Sequence, residues 1–111
     1  MVLTVTLVCD SGGNLLSARA HGHAGASVCG RDIVCAAATA LLRTTLAVLV
    51  REFPDAVTAE SDGRGDLSFS VEPPLEGSFP ALKYAALFLR EGIESLAREY
   101  PESVLISVST I

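Results

Sequence analysis

Basic residues are scarce in this chain. Its 111 residues include 8 lysines and arginines against 13 aspartates and glutamates, a formal net charge of -5. Phosphate binding needs a basic surface, so this balance argues against nucleic acid as the main ligand. An acidic surface would instead tolerate or attract a basic peptide. Because 50% of the residues are hydrophobic and only 19% are charged, we expect a core that forms without a metal or cross-links.

Cysteine is also rare, with Cys9, Cys29 and Cys35 in the whole chain. An odd number cannot all pair and no CxxC spacing occurs, which excludes a disulfide framework and indicates a reducing compartment. No basic region precedes the first apolar run, so no signal peptide is expected. The longest apolar stretch, residues 33–50, contains Arg43 and many alanines. A membrane span needs about 20 strongly apolar residues, so we interpret this stretch as a buried helix of a soluble cytoplasmic protein.

Internal repeats, phosphate-binding loops and paired carboxylates are absent as well, and the length predicts one domain over residues 1–111. Alternating apolar residues predict strands, and apolar residues spaced by three and four predict helices. Proline and glycine clusters separate these elements. The predicted strands cover residues 2–9, 15–20, 56–60, 66–72 and 104–111, and the predicted helices cover 32–53 and 79–100, the second capped by Ser78 with Pro80 in its first turn.

The resulting order, ββαββαβ, predicts an α+β protein within the broad α/β class. Two hairpins imply a single, mainly antiparallel sheet with both helices on one face. The first helix is apolar on nearly every side, and two explanations remain open. Either it packs centrally between the sheet and the second helix, or a second copy of the chain covers it in a homodimer.

Chemistry-bearing residues concentrate in residues 21–42, HGHAGASVCGRDIVCAAATALL. Asp32 is placed to cap the first helix, and this is its simplest role. Cys35 then lies in the first helical turn, where the helix dipole favours a thiolate. His23, just after a strand, is a candidate base for it. The alternative is that Cys35 is a small buried core residue, as cysteines without a catalytic role usually are.

Other residues nearby have weaker claims. Thr39 lies one helical turn beyond Cys35 on the same face, and its hydroxyl would either touch a substrate or bond to a backbone carbonyl. Two histidines and two cysteines in this stretch, His21, His23, Cys29 and Cys35, allow a metal site or a redox pair. Their spacing lacks a paired-ligand pattern, so no metal is predicted.

The residues Gly22-His23-Ala24, followed by a loop and then Gly30-Arg31-Asp32-Ile33-Val34-Cys35-Ala36, resemble the motif of the ribosomal-processing cysteine protease (Prp) family. The resemblance extends to the ββαββαβ order over the whole chain. It implies a small, dimeric α/β enzyme that needs no cofactor. Where this family usually carries serine, the chain has Thr39.

The resemblance further implies a cysteine endopeptidase with Cys35 as nucleophile and His23 as general base. Such enzymes remove a short N-terminal extension from a large-subunit ribosomal protein, which would be the partner of this chain. Gly22, Gly30 and Asp32 match the family motif and would shape the loop and the helix start. No role is implied for His21 or Cys29.

Two other interpretations remain open on the sequence. The same fold would also serve as a non-catalytic dimeric module that binds a ribosomal protein or a nascent peptide, with Cys35 buried. A metal-binding or redox-sensing protein would instead use His21, His23, Cys29 and Cys35. Thiol labelling tests the first of these interpretations, and metal analysis tests the second.

Overall fold

The strands and helices follow the predicted order. A computed structural model describes residues 2–22, 32–61, 66–72 and 79–111. The ββαββαβ order and the α+β class are confirmed, and the element ends differ from the predicted ones by about one residue, as is usual. The elements are β1 (Leu3–Cys9), β2 (Leu15–His21), α1 (Asp32–Glu52), β3 (Val57–Ser61), β4 (Leu67–Val71), α2 (Pro80–Glu99) and β5 (Val104–Thr110).

The strands form a five-stranded sheet in the order β3-β4-β2-β1-β5. The two predicted hairpins are present, as β1 with β2 and β3 with β4, and β2 also pairs antiparallel with β4. β5 lies parallel to β1, with Val104 beside Leu3 and Thr110 beside Cys9. The sheet is therefore mixed and mainly antiparallel, with its one parallel pair at the β5 edge.

One face of the sheet carries the core. Along β1 the burial alternates residue by residue, so that every second side chain is inward and the threonines between them are half-buried. Both helices contribute to the same core as these inward strand residues, which places them on the same face of the sheet, as predicted. The fully buried large side chains are Leu3, Val5, Leu7, Leu15, Leu42, Leu49, Leu82, Leu89, Ile93 and Val104.

The turn between β1 and β2 is organised by Asp10. Its carboxylate accepts hydrogen bonds from the backbone N–H of Gly12 at 2.9 Å, the backbone N–H of Asn14 at 3.0 Å and the Asn14 side chain at 3.1 Å. Gly13 completes the turn with φ 87°, a conformation that favours glycine. The local Asp-Ser-Gly-Gly-Asn sequence thus accounts for the hairpin.

Helix α1 packs through one stripe only. Its buried residues are spaced by three and four, whereas Ile33 is 67% and Val48 is 50% exposed. The first of the two explanations, a helix packed centrally between the sheet and α2, is therefore wrong for the single chain. Helices α1 and α2 instead lie in one layer over the sheet. Ile33–Glu52 is long and apolar enough to cross a membrane by length and composition, with 28% of its apolar window buried. The buried stripe consists of Val34, Ala38, Leu42, Thr45 and Leu49.

Helix α2 begins differently from the prediction. Its N-cap is Phe79 and not Ser78, since Pro80 is already the first helical residue; Ser78 lies outside the described residues. The Phe79 carbonyl accepts the first helical hydrogen bonds, and its ring packs edge-on against Phe53 with centroids 6.2 Å apart. The inward stripe of α2 consists of Leu82, Ala86, Leu89 and Ile93, and Tyr100, directly after the helix, is exposed.

Candidate active site

Cys35 lies in the first turn of α1, as predicted. Val34, immediately before it, is 5% exposed, and Ala38, three residues later, is fully buried. The burial of these two side chains fixes the rotation of the helix at its start. Cys35 lies beside the buried stripe and is half-buried. The thiol is therefore held on a rigid element, partly open to a reactant, which a nucleophile needs.

Thr39 lies one helical turn beyond Cys35 and is also half-buried. Residues four apart on a helix share a face, so the hydroxyl and the thiol lie on the same side of α1. Helix α1 begins at Asp32, the residue that the sequence predicts as its cap. The structure describes the backbone of Asp32 but not its side chain, so the capping bond stays a prediction.

Gly22 follows the last residue of β2 and has φ 103°, in the region that favours glycine. A Cβ at this position would lie 2.5 Å from the carbonyl oxygen of Val2. Glycine is therefore required here for two separate reasons, the backbone angle and the close approach of the neighbouring strand. This is direct physical support for Gly22 as a shaping residue at the end of β2.

His21 contacts Asp66, a pairing that the sequence analysis missed. The His21 Nδ1 atom lies 3.0 Å from Oδ1 and 2.9 Å from Oδ2 of the carboxylate. The hydrogen bond from His21 lowers the pKa of Asp66, and a bond from the backbone N–H of Gly22 acts in the same direction. The contact arises because β2 pairs with β4, with Ala20 beside Leu67. A prediction of that strand pairing would have revealed it.

Several predicted positions between β2 and α1 lie wholly outside the described residues, among them Arg31 of the motif. They also include His23, the candidate base, Gly30, and two residues without an assigned role, Ala24 and Cys29. Within the described part of the chain, no group of three or more His, Cys, Asp or Glu side chains is arranged to hold a metal ion. The metal interpretation rests on His23 and Cys29 and is not tested by that observation.

Cys9 has a different environment from Cys35. It is 9% exposed within the core, on the inward face of β1. Burial, with the nearby Asp10 carboxylate, raises the pKa of the Cys9 thiol, although Arg90 opposes this shift. A buried thiol that resists ionisation is a poor nucleophile. Of the two cysteines that the structure describes, Cys35 is therefore the better candidate for chemistry.

Comparison with known families decides what kind of chemistry this is. A family model described as cysteine protease Prp matches residues 2–105. The chain belongs to the Prp family of cysteine proteases. The resemblance seen in the sequence is thus confirmed, and the protein is a cysteine protease. A non-catalytic module is disfavoured by the same finding. No curated protein matches the chain.

Solved structures show the same Prp fold. The crystal structure of SMU.848 from Streptococcus mutans matches with a TM-score of 0.81 and 25% identity, covering 99% of this chain and 96% of that one. The ribosomal processing protease Prp from Staphylococcus aureus matches in two crystal structures. Its complex with a covalently linked product peptide has a TM-score of 0.77 and 18% identity, covering 96% of this chain and 99% of that one. Its complex with a substrate peptide has a TM-score of 0.73 and 19% identity, with the same coverage.

Proposed function

We propose that this protease is an endopeptidase in which Cys35 is the nucleophile and His23 is the general base. The observation that carries the proposal is the placement of Cys35: half-buried, in the first turn of α1, in a chain of the Prp family. Cys9 is an unsuitable alternative because its thiol is buried and its pKa is raised. Cys29 lies outside the family motif.

In the proposed mechanism, His23 removes the proton of Cys35, and the thiolate attacks the carbonyl carbon of the scissile bond. Backbone N–H groups at the start of α1 stabilise the oxyanion, since they have no partner within the helix. His23 then protonates the leaving amine, and the peptide bond breaks to leave a thioester on Cys35. Water, deprotonated by His23, hydrolyses the thioester and restores the thiol. No cofactor takes part.

We propose that the substrate is a large-subunit ribosomal protein, from which the enzyme removes a short N-terminal extension in the cytoplasm. The Staphylococcus aureus relative is a ribosomal processing protease that has been crystallised with a substrate peptide. The formal net charge of -5 on this chain favours a basic partner, as ribosomal proteins generally are. Gly22, Gly30, Asp32 and Thr39 would shape the site or contact the peptide.

The proposed dyad is tested on a peptide that spans the N-terminal extension of a large-subunit ribosomal protein of the same genome. We expect Cys35→Ala and His23→Ala to lose cleavage, while Cys9→Ala, a matched cysteine variant, retains it. The readout is the product mass, which also locates the cleaved bond. An active Cys35→Ala variant would exclude Cys35 as nucleophile. An intact peptide with the wild-type enzyme would exclude the proposed substrate.

We also propose that the protease acts as a homodimer, in which a second copy covers the outer face of the helical layer. Supporting this proposal, Val48 of α1 and Tyr84 and Phe88 of α2 are each at least half exposed. They line an apolar groove of about 430 Å³ between the helices. We expect Phe88→Asp to give monomers in light scattering, with Phe88→Leu as the control. A monomeric wild-type protein would contradict the proposal.

A further inference from the structure

A carboxylate beside the start of β4 binds the end of β2, in addition to the backbone pairing of the two strands. Asp66 accepts a hydrogen bond from the His21 ring, with Nδ1 2.9 Å from Oδ2, and it also accepts one from the backbone N–H of Gly22. His21, the last residue of β2, and Gly22, which follows it, are thus both bound to the Asp66 side chain. Asp66 lies directly before β4, so the carboxylate is itself held by a strand of the sheet.

On the β1 side of the same segment, the backbone of Gly22 is packed against Val2. A Cβ at Gly22 would approach the Val2 carbonyl oxygen to 2.5 Å. The position of Gly22 is therefore determined by the hydrogen bond that its backbone N–H donates to Asp66 and by close backbone packing against Val2. Because Gly22 is held from both sides, a small displacement of Asp66 or Val2 is passed on to the next residue of the chain.

We infer that Asp66 is a positioning residue for the protease reaction, and that with His21 it fixes the point from which His23 starts. The inference rests on the proposed function, because it takes His23 as the general base. Gly22 directly precedes His23 in the sequence, so a shift of the Gly22 backbone is carried into the peptide bond that leads to the proposed base. A misplacement of about 1 Å in a catalytic group can cost on the order of 100-fold in rate.

A purely stabilising role fits the His21–Asp66 pair poorly. The His21 side chain is 60% exposed and that of Asp66 is 30% exposed, and exposed ion pairs add little to stability because water and salt screen them. Favouring one orientation of a backbone segment takes less energy than stabilising the whole fold. Arg19 and Glu60 line the same open cavity of about 480 Å³ as Asp66.

Three substitutions test the inference, with the Arg90–Glu94 pair as a matched control. That pair is likewise exposed, with 3.1 Å between Nε and Oε2, but it joins two residues of α2. We expect Asp66→Ala to lower kcat about 10-fold while KM changes less than about twofold, in the range of positioning residues. Asp66→Asn keeps an oxygen acceptor for the Gly22 N–H and should lose less. His21→Ala should lose an intermediate amount, and Glu94→Gln should match the wild type.

Melting temperature and the iodoacetamide alkylation rate of Cys35 are measured beside kcat and KM. The inference is supported if kcat and the alkylation rate fall together in Asp66→Ala while the protein stays folded. If Asp66→Ala fails to fold, a joint fall of kcat and alkylation rate in folded Asp66→Asn and His21→Ala supports the inference in its place. Unchanged kcat in these variants, or an equal loss in Glu94→Gln, overturns it. Cys35→Ala is the reference variant. If it stays active, the proposed function itself fails. If it is inactive while the Asp66 variants are fully active, only the positioning role is overturned.

Discussion

The carbonyl oxygen of Val2 occupies the place that any side chain at Gly22 would need, 2.5 Å from where a Cβ would lie. This contact joins the start of β1 to the end of β2. It lies one residue before His23, the proposed base. The requirement for glycine therefore comes from the backbone of a neighbouring strand, and loss of the contact should affect both folding and catalysis.

Three glycine variants separate the contributions to this requirement. Gly22→Ala should destabilise the protein by more than the roughly 1–3 kcal/mol typical of a strained backbone residue, because a backbone clash adds to the positive φ. Gly13→Ala has a positive φ, but its new Cβ would lie 3.9 Å from the nearest atom, so only the conformational cost applies. Gly12→Ala has neither problem and should be nearly neutral. Urea unfolding measures all three, and equal losses in Gly22→Ala and Gly13→Ala would contradict the clash.

Acid should weaken the protein through Asp10. Its hydrogen bonds with Asn14 and Gly12 lower its pKa below the usual 3.8. A carboxylate with a lowered folded-state pKa stabilises the protein above its unfolded-state pKa, and this stabilisation is lost as the pH falls through the folded-state value. We expect the free energy of unfolding to drop as the pH falls below about 4. The drop should be smaller in Asp10→Asn, and identical acid limbs for the two proteins would contradict this account.

The cysteines should differ in reactivity at neutral pH. Burial raises the pKa of Cys9, so its thiol stays protonated and shielded. Cys35 is half-buried at a helix start, where ionisation is favoured. We expect iodoacetamide to modify Cys35 at least about 10-fold faster than Cys9, as measured by mass spectrometry of the digested protein. Urea should abolish the difference. Faster labelling of Cys9 in the native protein would contradict the assignment of Cys9 to the core.

Thr39 offers a test of whether its hydroxyl contacts the substrate. Thr39→Ser retains the hydroxyl and restores the residue usual in the family, whereas Thr39→Val keeps the shape and removes the hydroxyl. If the hydroxyl binds peptide, we expect kcat/KM to fall about 10-fold in Thr39→Val and to stay near the wild-type value in Thr39→Ser. Equal activity of the two variants would assign Thr39 a structural role only.

Local patterns predicted most of the fold. The alternation in β1, the glycine cluster that follows it and the three- and four-residue spacing in α2 each act over a few residues, and the structure confirms the elements that they predict. The position of Cys35 at a helix start followed from the same kind of local signal. These features depend on neighbouring residues alone, so one sequence is sufficient to predict them.

Features that depend on distant pairing were not predictable in this way. The His21–Asp66 contact needs β2 to lie beside β4, and no local pattern specifies which strands of two hairpins meet. The sequence left two explanations open for the apolar α1, because an apolar helix looks the same whether sheet, helix or a second copy covers it. The Phe79 cap was missed because Ser78 is the better hydrogen-bonding residue, and Pro80 moved the helix start past it.

The parallel pairing of β1 with β5 has a consequence for synthesis on the ribosome. β1 is translated before both helices, whereas its partner on that side, which begins with Val104 beside Leu3, is translated after them. Until then one edge of β1 lacks its native neighbour and is able to pair with another chain. Folding can therefore be completed only after β5 has been translated and has left the exit tunnel.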